Sequence, residues 1–233
     1  MATSTDRADA RVEERPVAVT IIGLLLALGG PPLYALVAGP ALFGEGTTPL
    51  ATGVGLAVMW ALCIAVLALV RLGERRPWAS LGMRSPGLKW LALAVVLGIA
   101  LSLLVPLLAA VASAVLPRQG EGTVGSVATG HHWLVLLIAV LTAAVTEEVL
   151  FRGYAIERLL ELSGSRWVAG GVSLAAFTLT HAAGWSLAHV VGVVIPLGAA
   201  LTLLYLWRRN LVVVVVAHFL VDLPLVVISA MTA

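Results

Sequence analysis

The sequence predicts an all-α, polytopic bundle of about seven transmembrane helices with a cytoplasmic N-terminus. Three observations lead there. Of 233 residues, 61% are hydrophobic and 11% charged, against roughly 25% charged in soluble domains. The apolar residues fall in runs of about 20, the length that crosses a hydrocarbon core. Thirteen of the 14 basic residues then lie on one side of the membrane, which sets the orientation.

Residues 1–16 are polar and mixed in charge. They lack the basic-then-apolar order of a signal peptide and read as a disordered cytoplasmic tail, with 17–233 as a single transmembrane domain. Apolar runs place spans at about 17–38, 49–70, 90–116, 132–156, 167–183, 186–207 and 211–231. Gly29-Gly30-Pro31-Pro32 should kink or break the first, because proline removes a backbone donor and clashes with the preceding turn. The third contains Pro106 and is expected to bend. Arg208-Arg209-Asn210 is short enough for a tight hairpin between the last two spans.

The cations follow this topology. Arg7, Arg11 and Arg15 precede the first span, and Arg71, Arg75, Arg76, Arg84 and Lys89 follow the second. Arg152, Arg158 and Arg166 lie at or after the end of the fourth, and Arg208 and Arg209 follow the sixth. Arg118 alone is opposite. Trp78, Trp90, Trp133, Trp167, Trp185 and Trp207 fall near span ends, where amphipathic rings prefer the interface; Trp60 is interior. One lysine among 14 basic residues points to a GC-rich bacterial coding sequence, and hence to the bacterial plasma membrane. The single cysteine, Cys63, cannot form an internal disulfide and reads as a packing residue. No basic patch with interleaved aromatics occurs, so no nucleic-acid partner is expected.

The informative residues are the ionisable ones left at membrane depth: Glu147, Glu148 and Arg152, then His181, His189, His218 and Asp222. Such groups cost roughly 3 kcal/mol each at the bilayer centre, and they mark functional sites by default. Glu148 and Arg152 are four apart and share a helix face, as do His218 and Asp222. Counted from the basic ends of their spans, Glu147 lies roughly 16 Å in, His181 roughly 22 Å, His218 roughly 12 Å and Asp222 roughly 18 Å, so they can meet. Two carboxylates and two imidazoles in one dry cavity suit acid–base chemistry. A glutamate paired with arginine stays charged, and the other is free to act as a base. Water held between a glutamate and a histidine becomes a nucleophile, and a second imidazole can donate to a developing oxyanion.

Glu147-Glu148-x-x-x-Arg152, Phe177-x-x-x-His181 and His218-x-x-x-Asp222, in that order, resemble the three motifs of the CAAX prenyl protease and bacteriocin-processing (CPBP, or Abi) family over roughly residues 130–225. The resemblance implies a glutamate-dependent, metal-independent intramembrane endopeptidase. Its catalytic residues would be Glu147, Glu148, Arg152, His181, His218 and Asp222. It would cleave a peptide or protein substrate near the cytoplasmic side of the bilayer. Glu147 and His181 would activate water, Arg152 would orient Glu148, and His218 with residue 222 would stabilise the oxyanion. The best-known eukaryotic and archaeal CAAX proteases carry asparagine at the last position. An ionised aspartate has no donor, so Asp222 acts as a donor only when protonated and otherwise as an acceptor that fixes a histidine tautomer.

No cofactor is expected. Zinc remains the alternative, since Glu, His and Asp are acceptable ligands, although no HExxH pair occurs. A non-catalytic bacteriocin-immunity or regulatory membrane-binding protein is a second alternative. A proton-coupled transporter is a third, without the paired interrupted helices that usually mark one. Phe177 reads as packing beside the site. His189 reads as structural or near the outer interface, and His131 and His132 as interfacial.

Overall fold

The computed structural model describes residues 17–44, 48–116 and 132–232. The expected tail 1–16 and the segment 117–131, with Arg118 and His131, lie outside the described residues. Seven helices follow one another: α1 (Val17–Phe43), α2 (Pro49–Gly73), α3 (Leu88–Val115), α4 (Trp133–Ser163), α5 (Arg166–Ala182), α6 (Leu187–Arg208) and α7 (Leu211–Thr232). A 3₁₀ turn, Trp78–Leu81, lies between α2 and α3. There is no strand among the described residues.

Six of the helices are long and apolar enough to span a bilayer, making this a multi-pass integral membrane protein. The difference from the seven-span expectation is α5. It has 17 residues, about 25 Å of rise, and ends after His181. Gly29-Gly30-Pro31-Pro32 does not break α1. Wider π-helical turns at Leu25–Gly29 and Tyr34–Ala38 flank the prolines and accommodate their missing N–H groups. Neither Pro106 in α3 nor Pro224 in α7 interrupts its helix.

Polar side chains fix where several helices begin. Thr48, Ser165 and Ser186 hydroxyls accept from backbone N–H groups in the first turns of α2, α5 and α6. The Asn210 carbonyl does so for α7, and the His132 imidazole for α4. Each such cap contributes about 1 kcal/mol. Gly164 ends α4 in the left-handed region (φ 67°), where a side chain would be strained.

The middle of α4 is the core of the bundle. Residues 148–156 form nine consecutive π-helical positions, all buried. α7 packs between α3 and α4, and α5 packs against α4 and α6. Close approach relies on small residues, as in other membrane bundles. A Cβ on Gly98 of α3 would lie 2.9 Å from the Ala217 carbonyl oxygen of α7. Trp60, midway along α2, reaches across to donate to Thr142 Oγ1 at 3.1 Å. Cys63 is buried and unpaired, as expected of a packing residue.

At the basic end of the bundle, Glu74 closes a clamp. Its carboxylate receives Arg158 Nη2 at 2.7 Å, Arg158 Nε at 2.9 Å, Tyr154 Oη at 2.9 Å and Thr20 Oγ1 at 2.9 Å. Arg158 also donates to Ser80 Oγ at 3.2 Å. One carboxylate thereby joins α1, α2, α4 and the 3₁₀ turn. Burial pushes the Glu74 carboxyl up, but hydrogen bonds and charge from Arg158, with Tyr154 and Thr20, outweigh this and hold it below its ordinary value.

Candidate active site

A cavity of about 320 Å³ lies between α3, α4, α5, α6 and α7. Its walls are largely apolar, but four of the six expected site residues reach it: Glu147, His181, His218 and Asp222. Glu148 and Arg152 stand behind the wall with no exposed surface. All six are therefore brought together, in two linked groups.

The first group is Glu147 and His181. His181 Nδ1 lies 2.9 Å from the Phe177 carbonyl oxygen. A carbonyl can only accept, so Nδ1 carries the proton and Nε2 of the neutral ring presents a lone pair. Nε2 faces Glu147 Oε1 at 3.8 Å. That is too long for a direct hydrogen bond, and it leaves room for a water oxygen in reach of both atoms.

The second group is a chain of charges. Arg152 Nη1 donates to Glu148 Oε1 at 2.9 Å and Nη2 to the Gly198 carbonyl at 3.1 Å. The same Glu148 oxygen takes His218 Nδ1 at 2.8 Å. On the other side of the ring, His218 Nε2 lies 3.3 Å from Asp222 Oδ2. Both ring nitrogens thus face carboxylates. The two carboxylates of the Glu-Glu pair have separated environments. Glu148 is held by Arg152 and His218, while Glu147 faces the cavity.

Local backbone explains the placement. The π-helical stretch begins at Glu148, and its wider turn sets Glu148 above Arg152; such segments recur at functional sites. Phe177 does more than pack beside the site. Its ring lies 4.4 Å from the Arg152 guanidinium carbon and 4.7 Å from the His181 ring, so one aromatic face separates the two groups.

Trp185 and His189 are also in the cavity wall, with rings stacked 4.0 Å apart. Sequence reasoning placed Trp185 near a span end and read His189 as structural or near the outer interface. They belong to the turn after α5 and the first turn of α6, which close that side of the cavity. The signal available was a histidine at membrane depth without a motif partner. Ser102 and Pro106 line the α3 wall. Pro106 lacks the N–H that would bond the Ser102 carbonyl, leaving an acceptor on that side. Among the described residues, no group of three His, Cys, Asp or Glu converges as metal ligands would.

A multi-pass helical bundle with a buried glutamate–histidine cavity is the class of protein that the fold and site define. Residues 129–224 match the family described as Type II CAAX prenyl endopeptidase Rce1-like. The matched segment contains all six site residues, so it is there that the chain is similar to CAAX proteases. Searches of curated proteins and of solved structures found no match.

Proposed function

We propose that this protein is an intramembrane endopeptidase of CAAX-protease type that hydrolyses a peptide bond with a glutamate- and histidine-activated water. The observation that carries the reading is the open gap between Glu147 Oε1 and His181 Nε2, two acceptors 3.8 Å apart on one cavity. A water there donates one hydrogen to each and turns a lone pair toward the carbonyl carbon. As it attacks, Glu147 takes its proton and later passes it to the leaving amine. His218 Nε2–H, held only loosely by Asp222, donates to the developing oxyanion. Glu148 and Arg152 are positioning residues that hold the His218 ring. Acid–base roles are filled by side chains, so no metal is invoked; undiminished activity in a chelator is the matching expectation.

The basic end of the bundle is assigned to the cytoplasm, and the membrane to a bacterial plasma membrane. His218 and Asp222 lie seven and eleven residues into α7 from that end, about 10 and 17 Å. His181 is about 22 Å along α5. A substrate tail entering the cavity from that side would meet these groups about 10–22 Å from the basic end.

The test uses purified protein and fluorogenic peptides in which a farnesyl-cysteine is followed by a three-residue tail, with a non-prenylated counterpart. Glu147→Gln and His181→Ala should each lower turnover by on the order of 10²–10⁴-fold while the protein stays folded. Equal turnover in wild type and both variants would reject the proposal. A dead variant that still complements a deletion strain would favour the immunity or regulatory reading.

A further inference from the structure

A second cavity, of about 300 Å³, lies at the basic end and is lined by Arg84, Pro86, Trp90, Arg208, Arg209 and Asn210, among others. No carboxylate lines it. Arg209 is committed elsewhere, to the Glu157 carboxylate. Arg208 is not. Its guanidinium lies flat on the Trp90 ring, 3.2 Å from the centroid. Its Nε is buried without a hydrogen-bond partner, and no ion pair reaches it among the described residues. Arg84 spends one nitrogen on the Ala79 carbonyl at 3.3 Å and has no acidic partner there either. Lys89 adds a third cation, 5.1 Å from the same Trp90 ring.

The pocket is built, not a chance meeting of surface arginines. Leu211 N–H donates to the Gly82 carbonyl at 2.9 Å, and Asn210 Nδ2 to the Arg84 carbonyl at 3.0 Å. These two bonds pin the segment before α3 to the turn between α6 and α7. Trp207 meets Trp90 edge to face at 5.7 Å and is largely exposed. Two indoles at helix ends mark the headgroup level of a bilayer. A stacked guanidinium keeps its in-plane N–H edge for an oxyanion, the arrangement that suits phosphate.

We infer that this pocket binds the phosphate headgroup of an anionic phospholipid in the leaflet at the basic end. Basic pockets between transmembrane helices have this chemistry, and a free phosphate shares it without the acyl chains. The lipid is favoured because the exposed apolar side chains Leu88, Trp207 and Val212 stand beside the pocket residues in α3, α6 and α7, where acyl chains would lie.

The experiment reads lipid retention by native mass spectrometry, after stripping protein from mixed phosphatidylglycerol and phosphatidylcholine nanodiscs. Wild type should keep one phosphatidylglycerol and no phosphatidylcholine. The Arg84→Gln/Arg208→Gln double variant should lose it by on the order of 30-fold, for two cations removed. Arg75→Gln, a charge loss outside the pocket, should retain it. Equal retention by the double variant, or equal loss in Arg75→Gln, overturns the site. Displacement by millimolar inorganic phosphate overturns the lipid assignment. A wild-type measurement guards against a misfolded variant: short-chain phosphatidylglycerol should raise the thermal midpoint, and phosphatidylcholine or phosphate should not. No selective rise overturns the inference.

Discussion

Glu147 and Glu148 are neighbours in sequence but have different work to do. Glu148 has no exposed surface and is the shared acceptor of Arg152 and His218. Removing its charge leaves the Arg152 guanidinium buried without compensation. Glu148→Gln should therefore destabilise the protein by about 3–5 kcal/mol, seen as a lower thermal midpoint in detergent. Glu147 has only the longer His181 contact, so Glu147→Gln should unfold at nearly the wild-type temperature. Matching midpoints for the two variants would remove the distinction. The i, i+4 spacing made Glu148 and Arg152 legible as a pair. That His218 joins the same oxygen was not legible, because 70 residues separate the partners. Asp222, which sequence left as donor or acceptor, faces His218 Nε2 at 3.3 Å.

At the scale of elements, the site depends on how closely α5 and α6 approach. A Cβ on Gly198 would meet Phe177 Cδ1 at 2.9 Å and Leu174 Cδ1 at 2.8 Å. Gly198 also supplies the carbonyl that receives Arg152. Gly198→Ala should push the Phe177 ring, and with it His181, out of register. We expect a cost of about 1–3 kcal/mol from overpacking, together with a fall in kcat. Wild-type kcat in a folded Gly198→Ala variant would show that Phe177 does not set the site. Helix positions followed apolar run length well. The π-helical core of α4 and the short α5 did not, since both answer to neighbours. The interior of α4 widens around its buried charges, and α5 stops where its turn forms the cavity wall.

Over the whole molecule, one carboxylate ties the basic ends of four segments together. The folded-state pKa of Glu74 is depressed. Its contribution to stability is therefore complete above the unfolded value of about 4.3 and is lost as pH falls through the depressed folded value. The thermal midpoint of wild type should drop on acidification below about pH 4.3. Glu74→Gln should begin lower at neutral pH and show a shallower acid drop. An acid drop as steep as that of wild type would assign the loss to other carboxylates. Nothing in the sequence singled out this residue, and Arg158 counted only among the cations that set the topology. Their union spans 84 positions.

Composition, run length and the three short motifs were enough for the membrane class and most helix positions, and they singled out six residues that the fold brings together. These are local properties: apolar length answers to bilayer thickness, and i, i+4 spacing answers to the helical turn. Which partner each charge takes belonged to the tertiary structure alone. Packing chose Glu148 for the ion chain and left Glu147 to the cavity. It turned Trp185 and His189 inward and assembled the Glu74 clamp and the arginine pocket. Such contacts join residues far apart in the chain, and only the close approach of helices decides them.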